Sequence, residues 1–176
     1  MKLISIDAST KSSGVALFED NNLIEYHCIT CNDKNVYKRL QTMAAAIIEF
    51  CEKHNPDKIV MEEVVPEDVH GNDTAFKPLM YLQGYIVCGL SNINKTIDKL
   101  YVSTEWRSKC GIKTGPNIHR DQLKSAAMAL VKDKYGVFAN DDICDAICIG
   151  MATFIETPPK PPKKNPTVTE NGFVFG

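Results

Sequence analysis

Three apolar runs with little between them fill the first thirty residues. KLISIDAS alternates, with Ile4, Ile6 and Ala8 on one face and Leu3, Ser5 and Asp7 on the other, which is the period of a β-strand. GVALFED continues the apolar pattern, DNN (Asp20 to Asn22) is a turn signal, and LIEYHCIT reads as a third strand. Turns this short join antiparallel neighbours, whereas parallel strands need a long crossover. The chain therefore begins as a three-stranded meander.

The next segment changes period. Val36, Leu40, Met43, Ile47 and Cys51 recur at helical spacing. That helix is expected to end near KHNPD, because the residue before a proline resists helical geometry. KIVMEEVV is a near-continuous apolar run of the kind that forms a buried strand, and after a helical crossover it lies parallel to the first. The PEDVHGND loop leads to a second helix around residues 74–90, then KLYVS as a fifth strand. TEWRSKCGIKTGPN reads as a short helix and an exposed loop. Arg120 to Tyr135 form a further helix with Leu123, Ala127 and Leu130 on one face, stopped by Gly136. A last helix starts at Asn140 or Asp141. The order βββαβαβ and then helices implies an α/β architecture: a ribonuclease H-like fold, with a five-stranded mixed sheet and helices on both faces. The domain is expected to cover 1–156, with 157–176 (TPPKPPKKNPTVTENGFVFG) a flexible tail rich in proline and lysine.

Composition excludes several classes. Hydrophobic residues make up 44% and charged residues 24%, which is globular and not disordered. Apolar runs such as MAAAII and AICIGMA are too short to span a bilayer. The N-terminus turns polar after five residues, unlike a secretory signal, so a cytoplasmic protein is expected. Seven cysteines are scattered along the chain, where a reducing compartment leaves them as small hydrophobes. Cys28 and Cys31 form a CxxC, but no second pair completes a zinc site.

The segment NDDICDAICIGMA, residues 140–152, is the odd one. It has the apolar character of a buried helix yet carries Asp141, Asp142 and Asp145. Buried charge is costly unless paired. Asp142 and Asp145 are three apart and share a helix face. Asp7 lies near the carboxyl end of the first strand, and Glu62 and Glu63 lie late in the strand expected beside it. Sites on sheets with parallel strands form at such carboxyl ends. Four gathered carboxylates need cations, and an oxygen-only set suits Mg²⁺ or Mn²⁺. Two such ions are a common device for in-line phosphodiester hydrolysis. The candidate catalytic and metal-binding residues are thus Asp7, Glu62, Asp142 and Asp145. Simpler roles exist for some of them: Asn140, Asp141 or Asp142 as helix cap, Asp7 as a turn residue, and Glu63 in place of Glu62 as the strand's ligand, whereas Asp145, a full turn into an apolar helix, has none.

The motifs ISIDASTKSSGVALF, IVMEEV and NDDICDAICIGMA, with STEWRSKCGIKTG and HRDQLK, resemble RuvC-type Holliday junction resolvases, most closely those of phages of Gram-positive bacteria. The resemblance covers roughly residues 1–155. It implies a ribonuclease H-like fold, a homodimer with two active sites, and Mg²⁺-dependent nicking of opposite strands at a four-way DNA junction in a bacterial cytoplasm. It implies catalytic acids at Asp7, Glu62, Asp142 and Asp145, the same four. Many members insert an aromatic side chain into the junction from the stretch after the glutamate. Here that place holds Val65, with Phe76 and Tyr81 the nearby aromatic candidates.

Setting aside four carboxylates takes the formal net charge from −2 to +2. Basic residues concentrate after the fifth strand: Arg107, Lys109, Lys113, His119, Arg120 and Lys124 are the candidate DNA contacts, since phosphate contacts position a protein without reading sequence. The GIKTGP loop offers backbone to a phosphate or is simply solvated. Trp106 either stacks on a base or belongs to the core. Lys160, Lys163 and Lys164 add nonspecific attraction or keep the tail soluble. The second helix, FKPLMYLQGYIVCGL, is apolar over much of its circumference, which asks for burial on two sides, as in a dimer or deep in a core. Three rival functions remain. The first strand and loop are similar to the phosphate loop of sugar kinases and actin-like ATPases, but those need two lobes and a longer chain. A nuclease for forks and flaps would use the same acids. A junction-binding protein without catalysis would not need all four.

Overall fold

Residues 1–65 and 73–156 are described by the structure, a computed structural model. The expected tail at 157–176 and most of the PEDVHGND loop lie outside the described residues. Among the described residues ten elements run in the expected order: β1 (Lys2–Asp7), β2 (Ser12–Glu19), β3 (Asn22–Thr30), α1 (Val36–His54), β4 (Lys58–Glu62), α2 (Asp73–Asn92), β5 (Lys99–Tyr101), α3 (Ser103–Lys109), α4 (Arg120–Tyr135) and α5 (Asp141–Phe154). The sheet order is β3-β2-β1-β4-β5. The meander is antiparallel, and β4 and β5 add in parallel after their helical crossovers. This is the mixed five-stranded sheet of the ribonuclease H-like fold.

The alternation of β1 sorts the two cores. Ile4 and Ile6 face α1 and α2 in a cluster with Leu40, Met43, Ile47, Leu82 and Ile86. Leu3 faces the opposite side with Phe18, Trp106, Ala127, Val131 and the apolar body of α5. Leu123 and Leu130 pack against that second cluster beside Ala127, so the face predicted for α4 is the buried one.

Local signals end the elements where expected. Asn55 closes α1 in the left-handed region, immediately before Pro56. Gly136 closes α4 at φ 68°, a conformation that costs glycine little. Asn140 caps α5 by accepting the Ile143 N–H at 3.1 Å, which resolves the choice of cap away from both aspartates. Among the described residues the second helix is covered on one side only. Leu82, Ile86 and Leu90 are buried, but Met80, Tyr81, Tyr85 and Val87 are exposed, so the described residues cover only one of its apolar faces.

α5 sits unusually close to the sheet, and small residues allow it. A Cβ at Gly14 would fall 1.9 Å from the Asp142 carbonyl oxygen, and one at Gly150 would fall 2.2 Å from the Phe18 ring. Between them the Ser5 hydroxyl donates to the Ala146 carbonyl at 2.7 Å. That contact satisfies a buried hydroxyl and pins the helix axis over β1 and β2.

Candidate functional site

The register of β1 and β4 builds the first half of the site. Ile6 lies beside Met61, so the next residues outward, Asp7 and Glu62, end their strands side by side. Adjacent strands lie about 5 Å apart, and the two carboxylates therefore start from neighbouring positions on one face. α5 supplies the second half from above, because its first turns pass over β2 at Gly14, the partner of Asp7 across the β1–β2 pair. Asp142 and Asp145 project from this end of the helix. All four acids line one open cleft of about 840 Å³, with Glu63, Val65, Arg107, Arg120 and Lys124 on its other walls.

The electrostatics record the convergence. Burial drives the Asp7 carboxyl well above its ordinary value, and the charges of Glu62, Asp145 and Asp142 push it further, while Arg107 opposes them. Burial likewise raises Asp145 to about 6, against the pull of Arg107. Glu62, and not Glu63, is the glutamate that Asp7 feels among these largest influences. Glu63 also lines the cleft, with its backbone N–H donating to the Tyr101 carbonyl at 2.9 Å.

Three of the acids have a partner of their own. Asp142 accepts a hydrogen bond from the Ser12 hydroxyl at the start of β2. Glu62 accepts the indole N–H of Trp106 at 2.8 Å. Asp145 faces Arg107 at 3.7 Å, and the Arg107 guanidinium lies 4.4 Å from the Trp106 ring centroid. Trp106 is fully buried, so its base-stacking alternative gives way to the core. Ser12, Trp106 and the internal role of Arg107 were not legible in the sequence. Nothing in TEWRSK reveals that its indole meets a glutamate 44 positions earlier.

The predicted basic residues divide. Arg107, Arg120 and Lys124 line the cleft, and so do Thr114 and Gly115 of the GIKTGP loop. Lys124 is paired with Asp141, which draws that carboxyl below its ordinary value. Lys113 is exposed next to the cleft-lining Thr114, and His119 is exposed at the N-cap of α4. Lys109 is engaged elsewhere: its ammonium donates to the Ala152 and Ile155 carbonyls at 2.8 and 2.7 Å, where a cation offsets the dipole at the end of α5.

The donor set fits a hard divalent cation, because it is all oxygen. One buried oxygen, Asp145 Oδ1, has no hydrogen-bond partner, and such an atom is costly unless something binds it. Among the described residues, however, no three acidic, histidine or cysteine side chains stand close enough to hold a metal ion in their present positions. Glu62, Asp142 and Asp145 are near enough to oppose the ionisation of Asp7. Ligation would require small side-chain movements toward a common point.

This strain has a measurable sign. A carboxyl whose folded pKa is raised holds its proton more tightly folded than unfolded, so stability falls as pH rises between the two values. For Asp145, with an ordinary value of 3.8 and a folded value of about 6, the loss is about 3 kcal/mol between pH 4 and 7. Asp7 adds in the same direction. Denaturant midpoints of the metal-free protein are expected to fall over this range, and Mg²⁺ at pH 7 to restore them. A midpoint that rises with pH would mean that the acids are already paired.

No family model and no curated protein matches the sequence. Solved structures do. RuvC of Thermus thermophilus in complex with a Holliday junction substrate aligns at TM-score 0.69 and 11% identity, covering 86% of this chain and 92% of that one. The same bacterium's RuvC in a second structure gives 0.66 at 12% identity, with the same coverage. The yeast mitochondrial Holliday junction resolvase Ydc2 gives 0.53 at 15%, covering 86% of this chain and 77% of that one. The likeness is one of fold. Among the described residues, no helix is long and apolar enough to cross a membrane.

Proposed function

We propose that this protein is a metal-dependent, structure-selective endodeoxyribonuclease that resolves four-way DNA junctions by paired nicks. The observation that carries the reading is the placement of Asp7 and Glu62 at adjoining strand ends beneath Asp142 and Asp145 of α5. Two of the similar solved structures bear on it: one is a RuvC bound to a Holliday junction substrate, the other a Holliday junction resolvase. The sequence motifs favour the phage-encoded type of this enzyme.

The four carboxylates would hold two Mg²⁺ ions, with Mn²⁺ able to substitute. Bound there, the ions would supply an activated water and charge stabilisation for the leaving oxygen. The protein's own groups do the rest. Ser12 orients Asp142, and Asp7 sits half-buried in the wall of the cleft at the end of β1. Arg120, at the start of α4, and Lys124, one turn later, line the cleft wall where a phosphate backbone can be held. Arg107 partly offsets the acids' charge before a cation arrives.

Two symmetric nicks require two sites, hence a homodimer. The exposed side of α2, with Met80, Tyr81, Tyr85 and Val87 beside Tyr37 of α1, is the surface proposed to form it. Large exposed apolar patches of this kind mark interaction sites. The two alternatives differ in substrate or in chemistry. A broader branch nuclease is favoured by Val65, an aliphatic residue lining the cleft. A junction-binding protein without catalysis would bind and not cut.

The test is nicking of a labelled immobile junction beside a fork and a linear duplex, in Mg²⁺ and in EDTA, with sedimentation of the same sample. Symmetric nicks in the junction alone, lost in EDTA, from a dimeric protein are expected. Equal cutting of the fork would make it a general branch nuclease. Tight binding without cutting would overturn the catalytic reading.

A further inference from the structure

The only tryptophan in the chain, Trp106, is fully buried. A buried indole N–H must find an acceptor, and the one it finds is Glu62 Oε2 at 2.8 Å. Glu62 is the last residue of β4. Its side chain has three rotatable bonds, whose freedom would otherwise have to be lost on ligation. A donor fixed in the core removes much of that freedom in advance. Against the indole ring, Arg107 stacks at 4.4 Å and reaches Asp145 at 3.7 Å. Two consecutive residues of α3 therefore touch two of the four acids.

We infer that Trp106 is a positioning residue that orients Glu62 toward a divalent cation, an inference that rests on the metal-dependent reading above. Partners that hydrogen-bond to ligating groups typically contribute about 10- to 100-fold in metal affinity. Trp106 is also a built-in reporter, since every tryptophan signal from this protein comes from the neighbourhood of Glu62.

The test uses the full chain. Mn²⁺ binding is measured by electron paramagnetic resonance of the free ion, and the indole N–H resonance is followed by NMR. Glu62→Gln leaves the core untouched and is expected to shift that resonance in the metal-free protein. Trp106→Phe, which keeps an aromatic ring and removes the donor, is expected to weaken Mn²⁺ binding about 10- to 100-fold. Its Mg²⁺ requirement for nicking should rise by a similar factor, with the rate recovering at saturating metal. Because there is one tryptophan, replacing it biosynthetically with benzothienylalanine removes the N–H at nearly constant volume, and the same loss is expected even if Trp106→Phe folds poorly. Unchanged Mn²⁺ affinity in the benzothienyl protein, or an indole resonance indifferent to Glu62→Gln, would overturn the inference. Absence of Mn²⁺ binding to the unaltered protein would instead defeat the metal-dependent reading, and the positioning role with it.

Discussion

Asp7→Asn is expected to lower junction nicking by about 10³-fold while making the metal-free protein more stable. The two effects have one cause. Asp7 is buried among Glu62, Asp142 and Asp145, and both burial and repulsion resist its ionisation. An amide of the same shape removes a buried charge that the folded state tolerates poorly. A gain of about 1 kcal/mol corresponds to roughly 3 °C in Tm for a chain of this length. Added Mg²⁺ should reverse the order: the unaltered protein gains stability by binding the ion, and the variant gains much less. Thermal melts of both proteins in EDTA and in Mg²⁺ provide the check. If Asp7→Asn is less stable than the parent in EDTA, Asp7 is a structural anchor and the acid cluster is not a strained site awaiting cations.

Gly14→Ala is expected to be the most damaging single-methyl change outside the acids. Its Cβ would lie 1.9 Å from the Asp142 carbonyl oxygen and 2.5 Å from the carbonyl carbon. Both belong to backbone, so no rotamer change relieves the clash. Overpacking a core typically costs about 1–3 kcal/mol, and here the relief must come from lifting the first turn of α5. That movement carries Asp142 and Asp145 away from Asp7 and Glu62. The expected result is a protein destabilised by about 3 kcal/mol that still folds and has lost nicking and Mn²⁺ binding together. Chemical denaturation and Mn²⁺ titration on the same preparation separate the effects. Normal metal affinity in Gly14→Ala would mean that α5 need not touch the sheet for the acids to act together.

These two positions show how unevenly the site was written in the chain. Asp7 announces itself as an acid at the end of a mostly apolar strand. Asp145 does so as an acid a full turn inside an apolar helix. Gly14 carries no such signal, because its role depends on Asp142, which lies above it in space and far along the chain. The same holds for Trp106, whose adjacency to Glu62 exists only once β5 has been laid beside β4 and α3 has folded back over its end. Lys109 makes the converse point. By sequence it belongs with Arg107 and Lys113, yet helical geometry turns its ammonium onto the end of α5.

Periodicity and local stop signals therefore determined the order of strands and helices, the two faces of β1 and the ends of α1 and α4, and acids out of place in apolar segments pointed to four side chains that line one cleft. Period and capping are local properties, set within a few residues. Tertiary structure decided which groups support those acids, which basic side chains reach the cleft, and that α2 keeps one apolar face uncovered. Those outcomes depend on distances between segments far apart in the chain, and such distances exist only after the sheet has closed and α5 has settled onto Gly14 and Phe18 of β2.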